Sequence, residues 1–335
     1  MKIFITGTAG FIGFSLAKFL LEKKHTIHGY DGITDYYDVK LKNYRNKILK
    51  RYKKFSFTKG MLENESLLKK TLSRFKPEIV IHLAAQAGVR FSIEKPKTYL
   101  SSNIIGTYNI IESAHKLNVK HLLIASSSSI YGANKKTPYC ENDSVQSPLS
   151  VYAATKLASE SLAHSYSNIW KIPITMVRLF TVYGPWGRPD MALFKFTKSI
   201  IEGKKIDIYN NGNMYRDFTY IDDIVKCLFS LIKKIPKNSK KFKSHKIDSL
   251  SSVAPFRIVN IGNSKKIRLL DFINTLENTL KKKSIRNYMP LQKGEVKTTL
   301  ANIDLLKKLT GKKPTVDFKV GIKKFVEWYL GYYNK

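Results

Sequence analysis

Residues 2–22, KIFITGTAGFIGFSLAKFLLE, decide the fold. Lys2–Thr6 is a short apolar run of the kind that forms a buried strand. Gly7, Gly10 and Gly13 follow at three-residue spacing, and Phe14–Glu22 has the composition of a helix. A bare glycine triplet is a weak signal. Between a strand and a helix it has the context that a dinucleotide-phosphate loop requires. Glycines there permit a tight turn, close approach of backbone to a pyrophosphate, and close packing of helix on strand. The helix N-terminus adds N–H groups and the positive end of a dipole. The stretch superficially imitates a signal peptide, but the spaced glycines and the lack of a small-x-small cleavage site argue otherwise.

Working outward, Thr26–Tyr30 reads as the next strand, closed by Asp31. A carboxylate there would accept hydrogen bonds from the adenosine ribose and repel a 2′-phosphate, favouring NAD over NADP. Asp35-Tyr-Tyr-Asp38 and the lysine-rich segment after it read as a solvated loop and helix. Phe55–Thr58, Glu78–Leu83, Leu122–Ala125 and Ile172–Leu179 read as further strands, with helices over Glu65–Phe75 and Lys97–Leu117. Repeated β-α units imply a parallel, doubly wound sheet whose ligands lie at the carboxyl ends of the strands. The glycine loop, Asp31, Ala84–Ala87 and the block Ser126–Ser129 all fall at such ends. His82 reads as a core histidine, because no second ligand stands at metal spacing.

Tyr152 and Lys156, four apart on a run of helix formers, share a helix face. An ammonium beside a phenol favours the phenolate and so a base. The spacing also occurs at Tyr36–Lys40 and Tyr131–Lys135, but only the Tyr152 copy has both a helix and a strand-end serine block before it. Beyond Phe180, a Gly/Pro-rich turn through Asp190 marks the exit from the first domain. Ile206–Tyr209, Asn210–Gly212 and Arg216–Asp223 read as a hairpin-like unit leading into a helix from about Ile221. Lys234–Pro255 reads as an exposed Lys/Ser-rich loop, Arg257–Gly262 as a strand, and Leu269–Leu280 and Val320–Tyr329 as amphipathic helices. The expected class is α/β, with a Rossmann-type sheet and a smaller mixed α/β domain at the C-terminal end. Residues 1–180 would bind the dinucleotide, joined by a segment near 215–260, and 181–335 would bind the substrate.

The chain has 335 residues, 43% of them hydrophobic, enough for two domains with substantial cores. Cys140 and Cys227 fit no disulfide or zinc pattern, which favours a reducing, cytoplasmic compartment. No apolar run is long enough to span a membrane. The net charge of +34 comes from 49 lysines and only 10 arginines, dispersed along the chain. They accompany no nucleic-acid-binding motif and read as a solvated surface. A positive field of this size would still speed capture of a dianionic substrate.

These motifs resemble, over essentially the whole chain, an extended short-chain dehydrogenase/reductase of the sugar-nucleotide epimerase and dehydratase group. The resemblance rests on Gly7-x-x-Gly10-x-x-Gly13, Tyr152-x-x-x-Lys156, and Arg216-Asp-Phe218 through Asp222-Asp223. Within that group Asp35–Leu41, Ala85–Arg90, Ser126–Gly132, Phe180–Arg188 and Ser252–Asn263 are most similar to UDP-glucuronate 4-epimerases. The resemblance implies a catalytic triad of Ser127, Tyr152 and Lys156 acting with bound NAD on a UDP-sugar. Around the cofactor it implies Phe11 and Ile12 beside the glycines, Leu83, Ala84, Ala85, Ala87 and Asn103 near its centre, and Phe180 by the nicotinamide. Where relatives carry an aspartate for adenine this chain has Met61, so a backbone group near Leu62 must serve.

For the substrate the resemblance implies Arg90, phosphate recognition by Arg216 and Arg188, and Glu295 reaching the uridine ribose. Ser128, Ser129 and Thr181 would hold a sugar carboxylate. Ser128-Ser129 also stand where dehydratases carry an Asp-Glu pair, which argues against elimination. An epimerase of UDP-glucose or UDP-GlcNAc type is the nearest alternative. A nucleotide-responsive or RNA-binding protein without turnover is a more distant one. Members of the group usually dimerise through helices corresponding to Lys97–Leu117 and Tyr152–Trp170. No metal is implied.

Overall fold

The computed structural model describes residues 1–237 and 248–333. Part of the Lys/Ser-rich segment expected as a loop, residues 238–247, lies outside the described residues. The strands are β1 (Lys2–Thr6), β2 (Thr26–Asp31), β3 (Phe55–Lys59), β4 (Ile79–His82), β5 (His121–Ser127), β6 (Ile174–Leu179), β7 (Thr181–Tyr183), β8 (Lys205–Tyr209), β9 (Tyr215–Tyr220), β10 (Phe256–Ile261), β11 (Lys266–Arg268) and β12 (Ile285–Met289). Seven of them form one parallel sheet in the order β10-β6-β5-β4-β1-β2-β3.

Side chains alternate across a strand, and here both faces are covered. Ile3, Ile5, Ile79, Ile81 and Leu123 enter one apolar core, and Phe4, Val80, Leu122 and Ile124 the other. Burial on both sides is why these strands read as continuous apolar runs. The helices are α1 (Phe11–Glu22), α2 (Val39–Leu49), α3 (Glu65–Phe75), α4 (Phe91–Glu94), α5 (Pro96–Tyr99), α6 (Gly106–Lys116), α7 (Val151–Trp170), α8 (Ala192–Ile201), α9 (Ile221–Ile232), α10 (Leu269–Leu280), α11 (Asp304–Thr310) and α12 (Phe318–Tyr333). The first core packs α1 and α9, and the second packs α3, α6 and α7.

The chain departs from the sequence-based expectation in two places. The helix expected over Lys97–Leu117 is interrupted by π-helical turns at Leu100–Ile105. The wider turns put consecutive residues inward: Ser102 donates to Glu63 and Asn103 to Gln86 and Thr155. The expected hairpin of Ile206–Tyr209 with Arg216–Asp223 does not form. Strand β8 pairs in parallel with β12, and β9 pairs with β7 and β11. Asn210, Asn211 and Gly212 all have positive φ and turn the chain away before pairing is possible. Ile206 and Ile208 are buried in the same apolar core as α8 and α10.

A buried polar network ties α7 to the sheet. The Arg178 fork donates to both oxygens of Glu160, at 3.0 and 2.8 Å, and its other nitrogen donates to the Tyr131 hydroxyl and the Glu141 carbonyl. Tyr131 donates to Asn260, whose N–H donates to the Glu141 carboxylate. Burial pushes the Glu141 carboxyl up to about 7, against the opposing pull of the Asn260 amide and the Arg178 charge. Its folded pKa therefore exceeds the unfolded one. The stability linked to its proton is complete below about pH 4.5 and is lost as pH rises through about 7. Thermal melts of Glu141→Gln from pH 5 to 8 should lack this decline, which is worth up to about 3 kcal/mol. Parallel pH profiles for variant and parent would contradict the assignment.

Candidate active site

One cavity of about 1230 Å³ runs across the carboxyl ends of β1, β2, β4, β5 and β6 and continues to Arg216 and Glu295. Single-ligand pockets are usually about 300–1,000 Å³, so this space accommodates two ligands. At one end the glycine loop is packed without room for side chains. A Cβ on Gly13 would lie 2.0 Å from the Gly7 carbonyl oxygen, and one on Gly7, at φ +81°, would lie 2.8 Å from the Ala84 nitrogen. Asp31 accepts the N–H groups of Ala9 at 3.0 Å and Ile33 at 2.8 Å, and burial raises its carboxyl. These backbone donors, the bare glycine turn and a carboxylate on the cavity wall fit NAD.

Gly10, Phe11, Ile12, Leu62, Leu83, Ala84, Ala85, Ala87 and Phe180 all line the cavity. Asn103 does not. It is fully buried behind the wall, where its amide holds Gln86 at both N–H and carbonyl. Its reach is to the loop after β4 rather than to the cavity. His82 is the core residue expected: it bonds Thr6 at 2.8 Å and Thr107 at 3.1 Å. The Thr6 hydroxyl in turn accepts the N–H groups of Leu83 and Ala84. Among the described residues no cluster could hold a metal ion.

The serine block and the start of α7 meet at the cavity wall. Ser150 caps α7 by accepting the Ala153 N–H, and this sets Tyr152 and Lys156 in the first two turns. Lys156 donates to the Ala125 carbonyl at 2.9 Å. Burial pulls its ammonium down to about 8, and Glu160 one turn on opposes that. Strand β5 extends to Ser127, two residues past the expected end, so the first two serines are strand residues. The Ser127 hydroxyl accepts the Ser129 N–H and lies beside the Tyr152 phenol.

Burial raises the Tyr152 phenol, while Ser127 and Arg188 pull it the other way. The expected lowering by Lys156 is not among the effects acting on the phenol, and its ammonium donates to the Ala125 carbonyl. The other two Tyr-x-x-x-Lys copies do different things. Tyr131 is a buried network residue, and Tyr36 lines the cavity and donates to Asp190.

Ser128, Ser129 and Thr181 face the same space. At the far end Arg216 pairs with Glu295 at 2.8 Å, Arg90 approaches the other Glu295 oxygen at 3.8 Å, and the Arg90 guanidinium lies over Tyr209. Asp217, next in the strand, accepts the N–H groups of Asn263, Ser264 and Ala301. Arg188 is not beside Arg216. Its fork closes on Asp190, and its charge is felt at Tyr36, Tyr99 and Tyr152. Tyr36, Asp190 and Lys42 were not foreseen as site residues. The aromatic pair inside the charged 35–38 segment was the one available signal.

The chain matches the family described as NAD dependent epimerase/dehydratase over residues 3–243. It is 50% identical to Protein CapI of Staphylococcus aureus over the full length of both. It is 48% identical to a probable UDP-glucuronate 4-epimerase of Rhizobium meliloti, covering all of this chain and 98% of the relative. The crystal structure of UDP-glucuronic acid 4-epimerase from Bacillus cereus with UDP-glucuronic acid and NAD superposes with a TM-score of 0.88. Its identity is 32%, over 99% of this chain and all of that one.

Proposed function

Because the chain belongs to the NAD-dependent epimerase/dehydratase family, we propose that it interconverts UDP-glucuronate and UDP-galacturonate at C4. The observation that carries this reading is the meeting of Ser127, Tyr152 and Lys156 with Ser128, Ser129 and Thr181 in one cavity. NAD supplies the acceptor and later the donor of a hydride. The glycine loop and Asp31 hold its adenosine and phosphates, and Leu83–Ala87 and Phe180 pack along it.

Tyr152 takes the proton of the sugar 4-hydroxyl, and Ser127 orients that hydroxyl. Burial raises the phenol, so its base form depends on positive charge nearby. Lys156 supplies part of this when it turns from Ala125, and Arg188 adds to it. The 4-keto sugar then turns over within the cavity and accepts hydride on its other face, while Tyr152 returns the proton. Arg216 grips the diphosphate, exchanging Glu295 for phosphate oxygens, and the released Glu295 accepts ribose hydroxyls. Residues 1–180, with the segment near 215–260, serve the cofactor, and 181–335 serve the UDP-sugar.

Free thiols at Cys140 and Cys227 support a cytoplasmic enzyme. Exposed Tyr108, Ile169 and Trp170 on α6 and α7 support a homodimer, which a monomeric mass by light scattering would refute.

A 4-ketouronate is a β-keto acid and loses carbon dioxide fastest when its carboxylate stands perpendicular to the carbonyl plane. Ser128, Ser129 and Thr181 hold the carboxylate away from that geometry. The test is to incubate the protein with UDP-glucuronate, without added NAD, and resolve the products by chromatography. The parent should give UDP-galacturonate, and its absence would refute the function. Thr181→Ala should divert about tenfold more material to UDP-4-keto-pentose, the worth of one hydrogen bond to a charged group. No increase would refute the carboxylate assignment.

A further inference from the structure

Arg45, on α2, has no exposed surface and is not part of the cavity wall. Among the described residues no carboxylate forms an ion pair with it. Its two terminal nitrogens go mainly to backbone carbonyls instead: one donates to the Ala9 carbonyl at 2.8 Å and to the Tyr37 hydroxyl at 3.0 Å. The other donates to the carbonyls of Trp186 at 2.6 Å and Gly187 at 3.2 Å. Burying an unpaired cation is costly, and a neutral side chain could tie down a single loop. What a planar fork adds is two directed pairs of donors in fixed relation.

The two carbonyl sets belong to different halves of the site. Ala9 is held at both of its backbone polar groups, its N–H by Asp31 and its carbonyl by Arg45. Two residues on, Phe11 and Ile12 begin the helix whose N-terminal N–H groups would receive the cofactor phosphates. On the other side, Trp186 has φ +64°, a conformation that a bulky side chain adopts only when its surroundings impose it. Arg45 holds the carbonyl of that residue and the next. Arg188 follows directly, clamped by Asp190, which also accepts the Tyr36 hydroxyl.

We infer that Arg45 is a positioning residue that ties the cofactor loop to the Arg188 loop, so that each ligand's site sets the geometry of the other. This rests on the function proposed above. Arg45→Met and Arg45→Lys are compared with the parent and with the exposed control Arg51→Ala. One readout is the rate of NAD release from the purified holoenzyme, and the other is kcat and KM for UDP-glucuronate.

Arg45→Met should release NAD about tenfold faster and lose about tenfold in kcat/KM, within the usual range of coupling between sites. Arg45→Lys, which keeps the charge and loses the fork, should fall between in both readouts, and Arg51→Ala should match the parent. Parental NAD release in a folded Arg45→Met would overturn the inference, as would a change in one readout without the other. If Arg45→Met does not fold, Arg45→Lys decides, and parental values in both readouts sink the idea. In the parent, saturating UDP-glucuronate should slow NAD release, and no slowing would overturn the tie whatever the variants do. A parent that holds NAD but does not turn over UDP-glucuronate would instead count against the proposed function.

Discussion

Replacing Tyr152 with phenylalanine should leave a folded protein that still carries NAD but turns over UDP-glucuronate about 10³-fold more slowly. The hydroxyl is the group placed to take and return the proton of the sugar 4-hydroxyl. Its removal takes away about 4 kcal/mol of transition-state stabilisation without disturbing the ground state. Phenylalanine keeps the edge-to-face contact with Tyr99, whose ring centroid lies 6.1 Å away. Because burial raises the phenol, parental activity should also climb with pH as the phenolate forms, and the residual activity of Tyr152→Phe should lose that climb. The checks are kcat across pH, the NAD content of the purified variant and its melting temperature. A variant within tenfold of the parent would remove Tyr152 from the proton transfer.

The second large effect falls on stability. Arg178→Met should destabilise the protein by about 3–5 kcal/mol, because it strands the Glu160 carboxylate in the interior without its bidentate partner. Both side chains are almost wholly buried, at 2% and 5% exposure, so solvent cannot take over the lost contacts. The Tyr131 hydroxyl and the Glu141 carbonyl lose a donor at the same time. The measurement is chemical denaturation of the NAD-loaded protein. The double variant Arg178→Met/Glu160→Met should recover much of the loss, since two apolar groups can replace a buried ion pair where one stranded charge cannot. A double variant no more stable than Arg178→Met would mean that the charge was not the cause. Glu160 also opposes the lowering of Lys156, so the double variant, which removes that carboxylate, should depress activity even where it recovers stability.

Much of this was legible before any coordinates. The glycine loop, Asp31 and the parallel strands announce themselves because each depends on chemistry local to a few neighbouring residues. Glycine is needed where backbone meets backbone, a carboxylate where a strand ends, and unbroken apolar runs where both faces are buried. The Tyr152–Lys156 pair was legible for the same reason, since helical spacing alone sets it on one face. Asn103 was read as a cofactor contact from its place on a helix near the site; its partners Gln86 and Thr155, which position the loop after β4, were not legible.

The segment 35–45 was hidden for the opposite reason. Its charges and tyrosines have the composition of a solvated loop, and local contacts such as the Asp38 cap of α2 and the Lys42–Thr34 bond explain only part of it. Their partners, Trp186, Gly187 and Asp190, lie some 140 to 150 residues away. The false hairpin at 206–223 failed likewise, because the partner of β8 is β12, about eighty residues further on. Residues 2–31 settle a dinucleotide sheet, and the serine-to-lysine stretch sets Tyr152 and Lys156 on one helix face, through short-range geometry alone. How the sugar end is built, and that Arg188 sits by Tyr152 rather than by Arg216, depends on side chains whose hydrogen-bond partners become neighbours only when the chain has folded.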